Sequence, residues 1–243
     1  MTSCAGVARI LRFNWPWYAA AVAATALALA ALAWWIPAGP WRVSAIALLL
    51  IGDGWLLLSL AVSHAIYDRS AIARGGWLDG VQAARVAIVH AGHDEASAHV
   101  ARRLPTAARH VFDICDPAGA LSSSLRRARA EARSAAPVVP SGCIPLPDAA
   151  VDLAVAVFAA HEIRDHGERT ACFRELARIV GPHGRILVVE HQRDAWNLLA
   201  YGPGFLHFLA RSAWLRTFAE AGLRLAGERT STPWVRIFEL RAA

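Results

Sequence analysis

The chain has 243 residues, 56% of them hydrophobic, and a formal net charge of +6 at pH 7. Once a membrane segment is set aside, enough chain remains for one domain with a proper core. All 25 basic side chains are Arg, and no stripe interleaves them with exposed aromatics, which speaks against nucleic-acid binding. The basic balance better suits a surface that faces an anionic leaflet. Cys4, Cys115, Cys143 and Cys172 are widely spaced and form no Cys-x-x-Cys pair, so they read as free thiols of a cytosolic protein.

From Phe13 to Trp41 there is no charged side chain, and the centre, Tyr18 to Ile36, has about the ~20 residues that span a bilayer. Trp15, Trp17 and Tyr18 stand at one end and Trp34 and Trp35 at the other, as aromatics do at the two membrane interfaces. Pro37-Ala38-Gly39-Pro40 makes a turn, and a second apolar run, Val43 to Tyr67, is also long enough to span. Arg9 and Arg12 precede the pair, Arg69 and Arg74 follow it, and only Arg42 sits in the turn. The positive-inside rule then places both ends, and the domain after them, on the cytoplasmic side of the membrane. A signal peptide or a buried soluble helix pair are the competing readings. Asp53 lies in the second run between Gly52 and Gly54. A carboxylate at that depth calls for a partner: another copy of the hairpin, a substrate head group, or a proton. The expected division is a two-helix hairpin over residues 1–68 and an α/β domain over 69–243, with assembly through the hairpin left open.

Gly75-Gly76-Trp77-Leu78 marks a joint, and the spacing predicts a helix over Trp77 to Ala84 that covers the sheet or the mouth of the site. Val86 to Val89 reads as a strand. The loop His90-Ala91-Gly92-His93-Asp94-Glu95 follows, then a helix Ala96 to Leu104 that Asp94 or Ser97 can cap. A strand Val111 to Cys115 ends in Asp116-Pro117, and Ser122 to Arg133 reads as a polar, basic helix.

After the Leu146-Pro147 turn, an apolar run from Leu153 to Ala160 fits a strand buried on both faces. An amphipathic helix follows, with Cys172, Phe173, Leu176, Ile179 and Val180 on one side and Arg174, Glu175 and Arg178 on the other. Gly181-Pro182-His183-Gly184 stops it, and a second apolar run, Ile186 to Val189, ends in Glu190-His191. Strand, helix, turn and strand make a crossover unit of a parallel sheet, with both strand tips on the edge where such sheets bind ligands. Those tips carry His161-Glu162 and Glu190-His191. Two His–carboxylate pairs suit proton transfer, with His161 the natural base near neutral pH, and they also suit a metal ion. The apolar segment Tyr201 to Phe208 reads as a lid, and Arg193, Tyr201 and His207 join Glu190 as candidate substrate contacts. Ser212 to Ala221 reads as the last helix, before an antiparallel strand pair, Leu223 to Ala226 and Val235 to Leu240.

The motifs Leu146-Pro147, Val151-Asp152, Leu176-Ala177-Arg178-Ile179-Val180 and Gly181-Pro182-His183-Gly184-Arg185 resemble class I S-adenosylmethionine (SAM) dependent methyltransferases of the type 11 kind. The resemblance covers roughly residues 80 to 243 and is most specific over Leu146 to His191. The strand–His-Ala-Gly–x-Asp-Glu arrangement is similar to a methyltransferase-like group with the same N-terminal hairpin. The resemblance implies a Rossmann-like sheet closed by an antiparallel pair, with SAM as cofactor. It implies a cofactor site built from His90, Ala91, Gly92, Asp94, Asp116, Ile144 and Ala160, with His161, Glu162 and His191 as catalytic candidates. Asp116, or alternatively Asp113, stands where the family's acid accepts the ribose hydroxyls, and the backbone near Cys143 and Ile144 faces adenine. The family's Gly-x-Gly-x-Gly loop is altered, since His90 and Asp94 replace its first and third glycines. The expected activity is methyl transfer to a hydrophobic or membrane-proximal small molecule, with the bilayer as a partner. A binding or scaffold protein without catalysis, and a metal-dependent enzyme on the same fold, are the alternatives.

Overall fold

A computed structural model describes residues 4–114, 123–132 and 135–243; Cys115 and Asp116 lie outside the described residues. Helices α1 (Ala5–Trp34) and α2 (Pro40–His64) form an antiparallel hairpin. Asp53 finds its partner inside the hairpin: its Oδ1 accepts from Thr25 Oγ1 at 3.0 Å. Gly52 and Gly54 do not serve a close crossing within the chain, because nothing lies within 4 Å of where their Cβ atoms would stand.

A π-helical turn, Ala65–Arg69, continues α2 and carries Asp68 to the start of α1. There its carboxylate accepts the Gly6 N–H at 2.6 Å and the Val7 N–H at 3.0 Å. Two orphan donors of the first helical turn are thus satisfied from a residue far along the chain. Position 6 must be glycine, since a Cβ there would meet Tyr67 Cβ at 2.6 Å. The expected helix over Trp77 to Ala84 does not form. A short 3₁₀ turn, Gly76–Leu78, is all that forms there, preceded by another, Ile72–Arg74, because Gly75 and Gly80 both take φ of +75° and break any helical run. Trp77 is nevertheless fully buried against the sheet.

The α/β part follows in chain order as β1 (Arg85–His90), α3 (Ser97–Arg103), β2 (Ala108–Asp113), α4 (Ser123–Ala132) and β3 (Leu153–Val157). Then come α5 (His166–Val180), β4 (Arg185–His191), α6 (Ala195–Tyr201), a 3₁₀ segment (Gly202–His207), α7 (Arg211–Glu220), β5 (Leu223–Thr232) and β6 (Val235–Ala242). The six strands lie in the order β2-β1-β3-β4-β6-β5. The first four are parallel, and β6 and β5 close the sheet antiparallel, as the sequence predicts. β3 is shorter than the apolar run, because Phe158 turns to φ of +50° and a 3₁₀ turn takes Ala160–Glu162.

β1, β3 and β4 are almost wholly buried because cores lie on both faces of the sheet. Phe173 of α5, Trp214 and Phe218 of α7, and Phe238 of β6 pack one face. Trp77, Ile88 and Leu153 pack the other, together with Val62 and Ile66 from the end of the hairpin. The hairpin and the α/β part therefore share a core. The tips of β1, β3 and β4 stand on one edge, around the switch point beside β1, where open α/β sheets take their ligands.

Candidate active site

The loop after β1 is held from two sides. Gly92, at φ of +77°, donates its N–H to Asp113 Oδ1 at 2.9 Å, and Asp113 lies opposite His90 in the β1–β2 register. A Cβ on Gly92 would sit 3.2 Å from Leu125 Cδ1 of α4, and Arg129 of α4 pairs with Asp113 at 3.3 Å. Asp94 caps α3, its Oδ1 accepting from Ala96 N and Ser97 N. His90 is buried, and that burial holds its imidazole below the usual range against the pull of Asp94 and Asp113. Behind the loop, Arg9 of α1 donates to His93 Nε2 at 2.8 Å and to Glu95 Oε1 at 3.1 Å. Burial would raise the Glu95 carboxyl, but the His93 hydrogen bond and the Arg9 charge outweigh it and hold the group below its usual range.

On the opposite wall, a chain of carboxylates and imidazoles joins the tips of β3 and β4. Glu190, fully buried, accepts the Ala160 N–H at 2.9 Å, the His161 N–H at 3.3 Å and His161 Nδ1–H at 2.7 Å. His161 Nε2 faces Glu162 Oε1 at 3.3 Å, and His207 Nε2 meets the same oxygen at 3.1 Å. Burial alone would push His161 down. The Glu190 charge and the hydrogen bonds to both carboxylates dominate, raising it to about 10. Burial would likewise raise Glu162, but hydrogen bonds from His161 and His207 drive it far below the carboxylate range. The His161 imidazole thus lies between the carboxyl groups of Glu190 and Glu162. Nitrogens of His161 and His207 and an oxygen of Glu162 lie within 4.8 Å of one another, close enough to hold a metal ion. The Arg164 guanidinium, packed on His207, sets a cation against that use.

His191, next to Glu190 on β4, points to the other face of the sheet. Its ring is stacked between Phe158 at 4.9 Å and Phe208 at 4.7 Å. Its Nδ1–H donates to the Trp234 carbonyl at 3.1 Å, so Nε2 accepts from the Tyr67 hydroxyl at 2.8 Å. Burial and then the nearby His161 charge push it down to about 3, so it is neutral at any working pH.

Between these walls lies a cavity of about 470 Å³. Ala91, His93 and Glu95 of the loop, Leu125 of α4, and Phe158 and Glu162 after β3 line the domain side. Tyr201, Gly204, His207 and Phe208 close a second side. The roof belongs to the hairpin: Arg9, Phe13 and Tyr18 of α1, Ser59 and Ser63 of α2, and Tyr67.

Of the expected residues, Ala91, Glu162, Tyr201 and His207 face this cavity, and Gly92, Asp94 and Ala160 frame it through their backbone or cap bonds. His161 stands behind Glu162, and its imidazolium form does not suit the expected base acting alone. Four expectations are corrected. His191 is a stacked, neutral core side chain, not a proton carrier. Glu190 does not reach substrate, because its oxygens are spent on Ala160 and His161. Ile144 is in the core with its N–H on Glu175 and its carbonyl on Arg178, so its backbone is not free for adenine. Arg193 spends its guanidinium on the Leu206 and Phe208 carbonyls, holding the lid segment in place. Asp113, the alternative acid, meets the loop glycine. Arg9, Phe13 and Leu125 were not anticipated as site residues; Arg9 had read only as a flanking charge.

Residues 92–188 match the family model described as "Methyltransferase domain". No curated protein matches the chain. Among solved structures, the chain is similar over its whole length to the mitomycin 7-O-methyltransferase MmcR, at 18% identity and a TM-score of 0.56, covering 74% of that protein. The O-methyltransferase NcsB1 of neocarzinostatin biosynthesis, solved with SAM and 2-hydroxy-5-methyl naphthoic acid, aligns with 92% of this chain and 70% of its own. Its identity is 21% and its TM-score 0.50. A family 2 O-methyltransferase of Planctomyces limnophilus, solved with apigenin, aligns at 14% identity and a TM-score of 0.51 over 82% of this chain and 65% of its own. Over residues 92–188 the chain matches a methyltransferase domain, and its fold is similar to that of SAM-dependent methyltransferases.

The site suits this cofactor. Gly92 turns its backbone left-handed against the acid at the tip of β2, which brings the loop residues Ala91, His93 and Glu95 to the cavity. The carboxylates of Glu95 and Glu162 border the cavity and complement a sulfonium cation.

Proposed function

We propose that the chain is a membrane-anchored methyltransferase that acts on a lipophilic small molecule carrying a hydroxyl, with its catalytic domain on the cytoplasmic face. The observation that carries this reading is the cavity itself. Cofactor loop, His–carboxylate chain and apolar hairpin helices all line one space. When bound, SAM supplies a methyl group already activated on sulfur, so the protein's share is alignment and removal of a proton. The cofactor would lie in the cavity beside Ala91, His93 and Glu95 of the loop after β1, which the Gly92–Asp113 hydrogen bond braces. Glu162 accepts the hydrogen bond of the acceptor hydroxyl, and His161 and Glu190 hold Glu162 in place. The proton released as the methyl arrives passes to solvent, because a carboxylate held this far below its usual range orients the hydroxyl but is a weak base. Phe158, Tyr201 and Phe208 take the apolar body of the acceptor. Two helices long and apolar enough to cross a membrane support the anchor, and the Arg residues flanking them support the cytoplasmic side.

The test is methyl transfer from SAM to phenols of graded alkyl chain length, with the full chain in phospholipid vesicles. Catalytic efficiency is expected to rise with chain length. Preference for the shortest, most water-soluble phenols would overturn the lipophilic acceptor.

A further inference from the structure

We infer that the segment 195–208 of the catalytic domain lies in the surface of the bilayer, with lipid covering its outer face. This rests on the reading of α1 and α2 as a membrane hairpin and fixes how deeply the domain sits.

The first observation is composition and exposure. From Ala195 to Leu206 the chain carries no charge. α6 buries only Asn197 and Ala200, and leaves Trp196 57% and Leu199 58% exposed, with Leu206 beyond it 57% exposed. A polar domain surface would not carry such a patch without a partner.

The second is attachment. Trp55 Nε1 of α2 donates to the Leu199 carbonyl at 2.6 Å, and a Cβ on Gly202 would stand 3.4 Å from the Trp55 ring. The patch is therefore level with Trp55 and continuous with the apolar surface of the hairpin.

The third is length. α1 lines the cavity as far as Tyr18, and α2 belongs to the domain from Trp55 onward. What projects freely is Ala19–Trp34 and Pro40–Gly54, about 15 or 16 residues each, roughly 22–24 Å of helix. A hydrocarbon core of about 30 Å needs about 20 residues. The shortfall, roughly 6–8 Å, matches the depth of about 5–10 Å to which an interfacial helix sinks its apolar face. The hairpin spans only if the domain sinks to the level of α6, and α6 carries the side chains for that depth. Tyr201, Gly204 and Phe208, on the inner side of the same segment, line the cavity. An acceptor dissolved in the bilayer therefore reaches the site from the lipid side, which points to amphiphiles whose hydroxyl rides at head-group level.

The test places one fluorescent probe on Leu199→Cys, and in separate chains on Leu27→Cys and Asp148→Cys, in a background with the native cysteines replaced by alanine. S-adenosylhomocysteine binding checks each fold. The chains are reconstituted in phosphatidylcholine vesicles with lipids brominated near the head-group end of the acyl chain or near its terminus. The expected result is strong quenching at position 199 by the shallow bromines, quenching at 27 by the deep ones, and none at 148. Quenching at 27 without quenching at 199 would overturn the inference and leave the hairpin standing. Absence of quenching at both would remove the membrane reading as well. If emission at 199 escapes bromines and instead self-quenches as protein density in the vesicle rises, a second copy covers the patch, and the inference fails. Where the cysteine-free background does not fold, a photo-crosslinking phenylalanine analogue at 199 in the native chain gives the same decision by adduct mass, lipid for and protein against.

Discussion

Arg9 of α1 and Glu95 of the cofactor loop form an ion pair at 3.1 Å across 86 residues of sequence. Through it the first turns of a hairpin that reads as an anchor become part of the wall behind the cofactor. The pair ties the hairpin to the geometry of the site.

Replacing Arg9 leaves the Glu95 carboxylate with His93 as its remaining named partner. The cost of an under-satisfied, partly buried carboxylate is about 1–3 kcal/mol. Arg9→Ala is expected to lower Tm and to weaken S-adenosylhomocysteine binding by about tenfold on the same scale. Arg12→Ala, whose partner Glu131 lies on an exposed surface, is expected to change neither. Calorimetry on the two variants decides between a wall and a mere tether.

The His161 cluster makes a pH signature. Its folded value, about 10, lies above the unfolded imidazole's, so its contribution to stability is complete below pH ~6.5 and is lost as pH rises towards 10. Glu162 works in the opposite sense: its contribution is present above pH ~4.5 and lost in acid. Thermal unfolding should therefore weaken on both sides, and His161→Gln should flatten the alkaline side. An unchanged alkaline slope in that variant would mean that another group titrates there.

Glu162→Gln keeps the shape of the wall and removes the charge that orients the acceptor hydroxyl. Its kcat is expected to fall by about tenfold to a hundredfold, the worth of one charge-assisted hydrogen bond, with cofactor binding intact. Glu190→Gln acts behind it. Charge at a fully buried position is lost, and stability should drop by about 3–5 kcal/mol as His161 is left without its main counter-charge. Single-turnover methyl transfer and denaturant unfolding separate the two effects.

His191→Phe retains an aromatic between Phe158 and Phe208 but deprives the Tyr67 hydroxyl of its acceptor. The expected loss is about 1–3 kcal/mol of stability with turnover preserved. A large fall in kcat at unchanged stability would return His191 to the chemistry.

Much of this architecture is legible in the residues. The unit from Val151 to His191 declares itself because a doubly covered parallel strand must be apolar throughout, and Gly181-Pro182-His183-Gly184 cannot continue a helix. The antiparallel pair at the end is equally plain, although β5 runs on to Thr232. Glu190 and His191 show where reading stops. Adjacent strand residues point to opposite faces, so only one of them can join His161, and nothing local says which face carries the site. Trp77 to Ala84 reads as a helix, but Gly75 and Gly80 decide the backbone. Arg9 could only be read as a flanking charge, since its meeting with Glu95 depends on how the hairpin docks.

The central claim is that the loop after β1, helix α4 and the tip of β3 border one space that binds the cofactor. Titration of the detergent-solubilised full chain with S-adenosylhomocysteine tests it most directly. The expected result is micromolar binding, weakened by roughly tenfold or more in Asp113→Asn, where the charge-assisted bond that braces the loop at Gly92 is lost, and retained in Glu162→Gln. No binding by the native chain at any reachable concentration, or equal binding by Asp113→Asn, would contradict it.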